Sequence, residues 1–168
     1  GQSVEDAKRQ WKYTRDPKEL LFQRNKRVLC CFCVDLYEVW MTTELKGENT
    51  YFLPFNQGSN GAGNIGDGGN PESKDGYATA YLWERVLQRD MLLSLLQHYI
   101  NFQETETLVL NPHTHKQMKL VDTRMIFPRY HQLDVVERLV ADTRAAKDGR
   151  NFLIQHSAGS GKSNSIAW

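Results

Sequence analysis

Ser157-Ala158-Gly159-Ser160-Gly161-Lys162-Ser163 is the stretch on which the reading of this 168-residue chain turns. Two glycines separated by one residue let a loop curl until several backbone N–H groups converge on an anion. The lysine that follows is placed to reach the β- and γ-phosphates of a nucleoside triphosphate, and Ser163 to ligate its Mg²⁺. Asn151-Phe152-Leu153-Ile154-Gln155-His156 predicts a short apolar strand leading into the loop. A helix is predicted to begin at about Lys162, with its positive end against the phosphates. The general pattern G-x-x-x-x-G-K-[ST] has glycine where this chain has His156. That departure leaves the two later glycines, Gly159 and Gly161, to shape the turn.

Upstream, Phe127-Pro128-Arg129-Tyr130-His131-Gln132 opens a helical pattern with Leu133, Val136 and Leu139 or Val140 on one face. Asp134, Glu137, Arg138 and Asp142 fall on others. Glutamine pairs bidentately with the N6 and N7 edge of adenine, and an upstream aromatic can cover the ring. Gln132 therefore joins Ala158, Gly159, Ser160, Gly161, Lys162 and Ser163 in the expected ATP site, Ser163 also serving Mg²⁺.

The rest of the composition is restrained. Lys and Arg total 21 against 20 Asp and Glu, a net charge of +1, so no overall basic field marks a nucleic-acid binder and DNA contact is expected from local patches. No run reaches the roughly 18 apolar residues of a membrane span, and Gly1–Asp6 lacks signal-peptide character. A cytoplasmic protein with no membrane partner is expected. The cysteines cluster as Cys30-Cys31-x-Cys33, where strand alternation sends Cys30 to one face and the other two to the opposite face. Zinc wants four ligands and no second pair completes a site, so these read as buried, reduced thiols.

Along the chain, Ser3 caps a predicted helix running to about Arg15, with Asp6 completing a capping box and Asp16-Pro17 ending it. A short helix is predicted over Lys18–Gln23, then a strand over Arg27–Val34, a turn at Asp35-Leu36-Tyr37 and a partner strand over Glu38–Thr43. Thr50–Asn56, which contains Pro54, reads as an edge. Half of the glycines fall between positions 58 and 70, in a loop. Tyr81–Phe102 has helical spacing with a break near Asp90, and Asn111–Lys116, with His113 and His115, reads as a polar turn.

Metal-dependent nucleases use carboxylates to hold Mg²⁺ and a lysine near the attacking water, and E-x-K on a strand puts both on one face. Glu44-Leu45-Lys46, with Asp35 upstream, has that form. Solvent-facing charges at the end of a hairpin strand are the competing reading.

Taken together, Gln2-Ser3-Val4-Glu5-Asp6-Ala7, Met41-Thr42-Thr43-x-Leu45-x-Gly47, Phe52-Leu53-Pro54-Phe55-Asn56, Tyr81-Leu82-Trp83-Glu84, Phe127–Gln132 and Gln155–Trp168 resemble an internal segment of the R subunit of type I restriction endonucleases. The resemblance runs from Gln2 to Trp168. It implies an α/β chain: the C-terminal part of a restriction-endonuclease-like nuclease domain over 1–104, a linker over 105–126, and the start of a RecA-like (superfamily 2 helicase) motor domain over 127–168. It implies an ATP-dependent subunit that translocates and cleaves double-stranded DNA with Mg²⁺, alongside methyltransferase (M) and specificity (S) subunits. The family's nuclease Asp and E-x-K would then lie upstream of Gly1, and Glu44 and Lys46 would fall at positions where the family pattern fixes only Leu45 and Gly47. Gln10 and Tyr13 are the nearest match to a Gln and Tyr that support the nuclease centre, although they stand three apart where the family usually has four. Three other descriptions stay open. One is a folded fragment without activity, one a small Mg²⁺-dependent nuclease using Asp35, Glu44 and Lys46, and one a generic helicase with an unrelated N-terminal domain.

Overall fold

The computed structural model describes residues 2–23, 26–73, 76–112, 116–146, 149–157 and 159–168. The chain is a mixed α/β structure with a three-stranded and a two-stranded antiparallel sheet. Among the described residues, no helix is long and apolar enough to cross a membrane.

Helix α1 spans Val4–Tyr13, and its start follows from the sequence. Ser3 Oγ accepts from Asp6 N at 3.3 Å and Asp6 Oδ2 accepts from Ser3 N at 3.0 Å, closing the capping box. Val4, Ala7 and Trp11 share one face and pack against Cys33, Phe52 and Trp40. The helix predicted over Lys18–Gln23 is instead a series of turns. Asp16 Oδ1 accepts from Lys18 N at 2.9 Å and Asp16 O from Glu19 N at 3.1 Å, a local arrangement that competes with helical pairing in so short a segment.

Strand β1 (Cys31–Val34) pairs with β2 (Val39–Thr42), Cys31 opposite Thr42 and Val34 opposite Val39. The predicted hairpin forms, but β1 is shorter than Arg27–Val34. Its partner ends where Thr42 Oγ1 donates to Glu44 O at 3.0 Å and turns the chain out of register. Asp35 builds the turn, accepting from Tyr37 N and Glu38 N at 2.8 Å each and from Val4 N at 2.9 Å. One carboxylate thereby fixes the hairpin to the start of α1. Strand β3, Leu53–Pro54, adds to β2 as an edge, where a proline is tolerated. Cys33 faces α1 while Cys30 packs into the opposite core, as alternation requires. Burial pushes the Cys31 thiol up to about 11 and the Cys33 thiol up to about 12, which favours the protonated form of both.

The larger core lies on the other face of this sheet. Val39, Met41 and Phe55 meet Leu82, Val86, Leu95 and Tyr99 from the segment after the glycine loop, and Tyr130, Leu133 and Val136 from a later helix. That middle segment was expected as one helix broken near Asp90. It consists of a π-helical turn at Leu82–Val86, helix α2 at Arg89–Ser94 and a second π-helical turn at Leu95–Tyr99, with the break at Leu87-Gln88. Helix α3 runs Tyr130–Ala145 and buries Leu133 and Val136 of the predicted apolar face, while Val140 is exposed. Asp134 departs from its expected polar face: it is 3% exposed, clamped by Arg85 at 2.8 Å and Arg138 at 2.8 Å. Phe32, Phe55, Phe127 and Tyr130 form a ring cluster with centroids 5.5 to 6.2 Å apart, joining sheet to helix.

The segment expected as a linker is the most regular strand pair in the molecule. Strand β4 (Asn101–Leu110) and strand β5 (Gln117–Ile126) pair along their full length, from Asn101 opposite Ile126 to Leu110 opposite Gln117. Apart from Met125 at its base, the ribbon is exposed or only half-buried on both faces, which is why its sequence lacks the apolar alternation of a half-buried strand. The turn residues His113 and His115 lie outside the described residues.

Candidate nucleotide site

The site is built where the first turn of α3 meets the glycine loop at Gly159–Gly161. Pro128 is fully buried and directs the chain into α3. Gln132 Oε1 accepts from Arg129 N at 2.8 Å, closing the helix start, while Gln132 Nε2 donates to Ser160 O at 3.2 Å and Gly161 O at 2.9 Å. His131 Nε2 lies 3.1 Å from Ser160 O. A carbonyl only accepts, so that nitrogen carries the proton. Burial holds the His131 pKa below its ordinary value, against the Ser160 carbonyl, which raises it; His156 and Arg129 lower it further.

Two carbonyls of the loop are thus held from behind by α3. Gly159 and Gly161 have φ of +72° and +81°, in the left-handed region that favours glycine. At Gly161 the requirement is doubled, because a Cβ there would overlap the Gln132 amide nitrogen. The following helix α4, Lys162–Ala167, starts at the predicted place with Gly161 as its N-cap and no side-chain capping bond. Lys162 Nζ folds back over the loop and donates to Ser157 O at 3.1 Å and His156 O at 3.3 Å. Trp168 pins the end of α4, its indole donating to Tyr99 O at 2.9 Å.

Among the described residues, three buried side-chain polar atoms lack a hydrogen-bond partner, and all belong to this segment: His156 Nδ1, Ser160 Oγ and Ser165 Oγ. Buried polar groups are normally satisfied, so their grouping in and around one loop is chemically informative. They and the Lys162 ammonium suit an oxygen-rich anion. Ser163, an exposed hydroxyl beside Lys162, suits a Mg²⁺ carried by such a ligand.

Not every predicted feature is present. Asn151–His156 is not a strand: Leu153 is 95% exposed, and no other strand pairs with this segment among the described residues. An apolar run without a ladder partner stays irregular. Gln132 offers no free donor to an adenine edge, since both amide hydrogens serve the loop. Ala158 lies outside the described residues.

The nuclease candidates are scattered. Gln10 and Tyr13 are exposed on α1, the Tyr13 hydroxyl donating to Glu48 at 3.4 Å. Asp35 is occupied by three backbone N–H groups, which depress its pKa against the burial that raises it. Glu44 and Lys46 form an ion pair at 3.0 Å on the wall of a cleft that reaches the glycine loop, and Asp35 does not line that cleft. Among the described residues, no three His, Cys, Asp or Glu side chains are grouped to hold a metal ion. The trio Asp35, Glu44 and Lys46 is therefore not assembled.

Sequence reading missed His131 and His156. Their rings meet edge to face at 5.1 Å beside the loop. The available signal was position, one histidine next to Gln132 and the other where the phosphate-loop pattern has glycine. No protein-family model, curated protein or solved structure matches the chain.

Proposed function

We propose that the chain binds ATP through Gly159–Ser163 and is a segment of the ATP-dependent, DNA-translocating and DNA-cleaving subunit of a type I restriction enzyme. The observation that carries the nucleotide reading is the loop itself. It has two left-handed glycines, carbonyls held from behind by His131 and Gln132, a lysine folded over it, and unpartnered buried polar atoms around it. The restriction-enzyme reading rests on the sequence resemblance.

On this reading each residue has a definite task. Gly159 and Gly161 allow the backbone to wrap the phosphates, and Lys162 exchanges its two carbonyl partners for β- and γ-phosphate oxygens. Ser163 would hold Mg²⁺, which when bound neutralises charge on the terminal phosphates. His131 and Gln132 keep the loop carbonyls turned toward α3 and away from the anion. The DNA, the M and S subunits and the nuclease carboxylates belong to the proposed parent assembly, where Gln10 and Tyr13 would support a nuclease centre.

Titration calorimetry of the purified chain with ATP and Mg²⁺ tests this. Lys162→Ala should weaken binding at least ~10-fold, a loss of about 1.4 kcal/mol. Equal affinity of the two proteins, or no binding by the unsubstituted chain, would reject the loop as a nucleotide site.

A further inference from the structure

Both Gln132 amide hydrogens are engaged by the loop, which turns attention to the other surfaces beside it for base recognition. The structure contains one beside the loop. A cleft of about 490 Å³ is bounded on one side by Gly159, Ser160, Gly161 and Asn164, and on the other by the end of the N-terminal sheet and the base of the β4–β5 ribbon. That volume is of the scale that accepts a small organic ligand.

Its walls have the chemistry of a nucleoside site. Tyr51, just before β3, lines the cleft and is 75% exposed. A flat, unburied aromatic is a stacking surface for a base. Lys46, paired with Glu44, and Arg124, Arg129 and Asp122 also line it, giving donors and acceptors for the polar edges of a nucleoside. Arg124 is steadied by Gln103 Oε1, to which it donates at 3.0 and 3.2 Å. Ser160, which also lines the cleft, is 7% exposed and its hydroxyl has no partner. A ligand hydroxyl or phosphate oxygen would satisfy it.

We propose that this cleft takes the nucleoside half of the nucleotide whose phosphates lie on the glycine loop, with the Tyr51 ring stacked on the base. The proposal rests on the loop being a phosphate site. One ligand would then touch the N-terminal sheet, the ribbon and the loop together, and nucleotide binding would tie the sheet to the motor segment. A strand of nucleic acid passing through the same cleft is the competing occupant, and cleft size together with its continuity with the loop favours the mononucleotide.

The test uses two ligands on the full chain with Mg²⁺: ATP, which fills both halves, and inorganic tripolyphosphate, which fills only the loop. Tyr51→Ala should weaken ATP about 5- to 10-fold and leave tripolyphosphate unchanged, and Tyr51→Phe should restore ATP binding. Equal ATP affinity in Tyr51→Ala and the unsubstituted chain, with tripolyphosphate bound by both, overturns the cleft while leaving the loop intact. Loss of affinity for a duplex or single-stranded oligonucleotide with unchanged ATP binding overturns it in favour of nucleic acid. If the unsubstituted chain binds neither ATP nor tripolyphosphate, the loop reading fails and the cleft proposal with it.

Discussion

Two glycine-bearing loops in this chain differ in where their backbone bonds go. Residues 58–69 hold six glycines and tie themselves together: Gly58 N donates to Gly69 O at 2.8 Å, Ser59 N to Asp67 O at 2.9 Å and Gly61 N to Gly58 O at 2.9 Å. Asn60 and Asn64 side chains bind Ile65 O and Asn60 O at 2.7 and 2.8 Å. The loop at Gly159–Gly161 has two glycines and a long internal bond, Ser160 N to Ser157 O at 3.4 Å, and is braced chiefly from outside, its carbonyls held by His131 and Gln132. A loop whose donors are engaged internally is a structural connection. One whose carbonyls are drawn backward leaves room for an anion at its front. Glycine count alone would have selected residues 58–69, the loop whose donors are engaged internally.

Alanine substitution should separate them most sharply. Gly161→Ala adds a Cβ against the Gln132 amide at a φ of +81°, and should lower ATP affinity about 5-fold or more, given strain of about 1–3 kcal/mol at such a position. Gly68→Ala, with nothing within 4 Å of the new Cβ, should leave affinity unchanged and stability within about 0.5 kcal/mol. Calorimetry and thermal unfolding of the pair would erase the distinction if both behaved alike.

Bracing can be measured separately from glycine geometry. Gln132→Ala removes a buried amide that satisfies two loop carbonyls and Arg129 N, and should cost about 1–3 kcal/mol in urea unfolding while also weakening ATP. Arg138→Ala acts on the other loop. Arg138 Nη2 donates to Ala62 O at 3.0 Å and its guanidinium pairs with Asp134, but the side chain is 59% exposed, so a loss of about 1 kcal/mol or less is expected. Amide exchange should quicken around Ala62 with ATP affinity unchanged; a parallel loss of ATP binding would mean the two loops are coupled through α3.

The same contrast explains what the sequence could and could not disclose. Ser3 with Asp6, Asp35 at the hairpin and Lys162 at the helix start act through bonds to near neighbours in sequence, so local pattern located them. The role of Gln132 depends on a loop 28 residues away, and burial of Asp134 depends on Arg85 across the core. Neither contact has a periodicity. The ribbon was missed because strand pairing, here Thr105 with Asp122 and Thr107 with Leu120, needs no buried face to form. The strand expected at Asn151–His156 failed for the converse reason, an apolar segment with no pairing partner among the described residues.

The smallest expected effect is set by protons and touches only one of the loops, since residues 58–69 contain no histidine. Burial holds His131 below its ordinary pKa, opposed by the Ser160 carbonyl and assisted by His156 and Arg129. An unfolded histidine titrates near ~6.5. Below that value the unfolded chain takes up a proton that the folded chain resists, so the stability contributed by neutral His131 is complete above it. It is lost as pH falls toward the depressed folded value. The His131 ring resonance should titrate at lower pH in the folded chain than in urea, and ATP affinity should decline modestly as pH drops through that window. His131→Gln should flatten this decline, because an amide can still donate to Ser160 O without titrating. An unchanged slope in His131→Gln would place the proton elsewhere and remove His131 from the support of the loop.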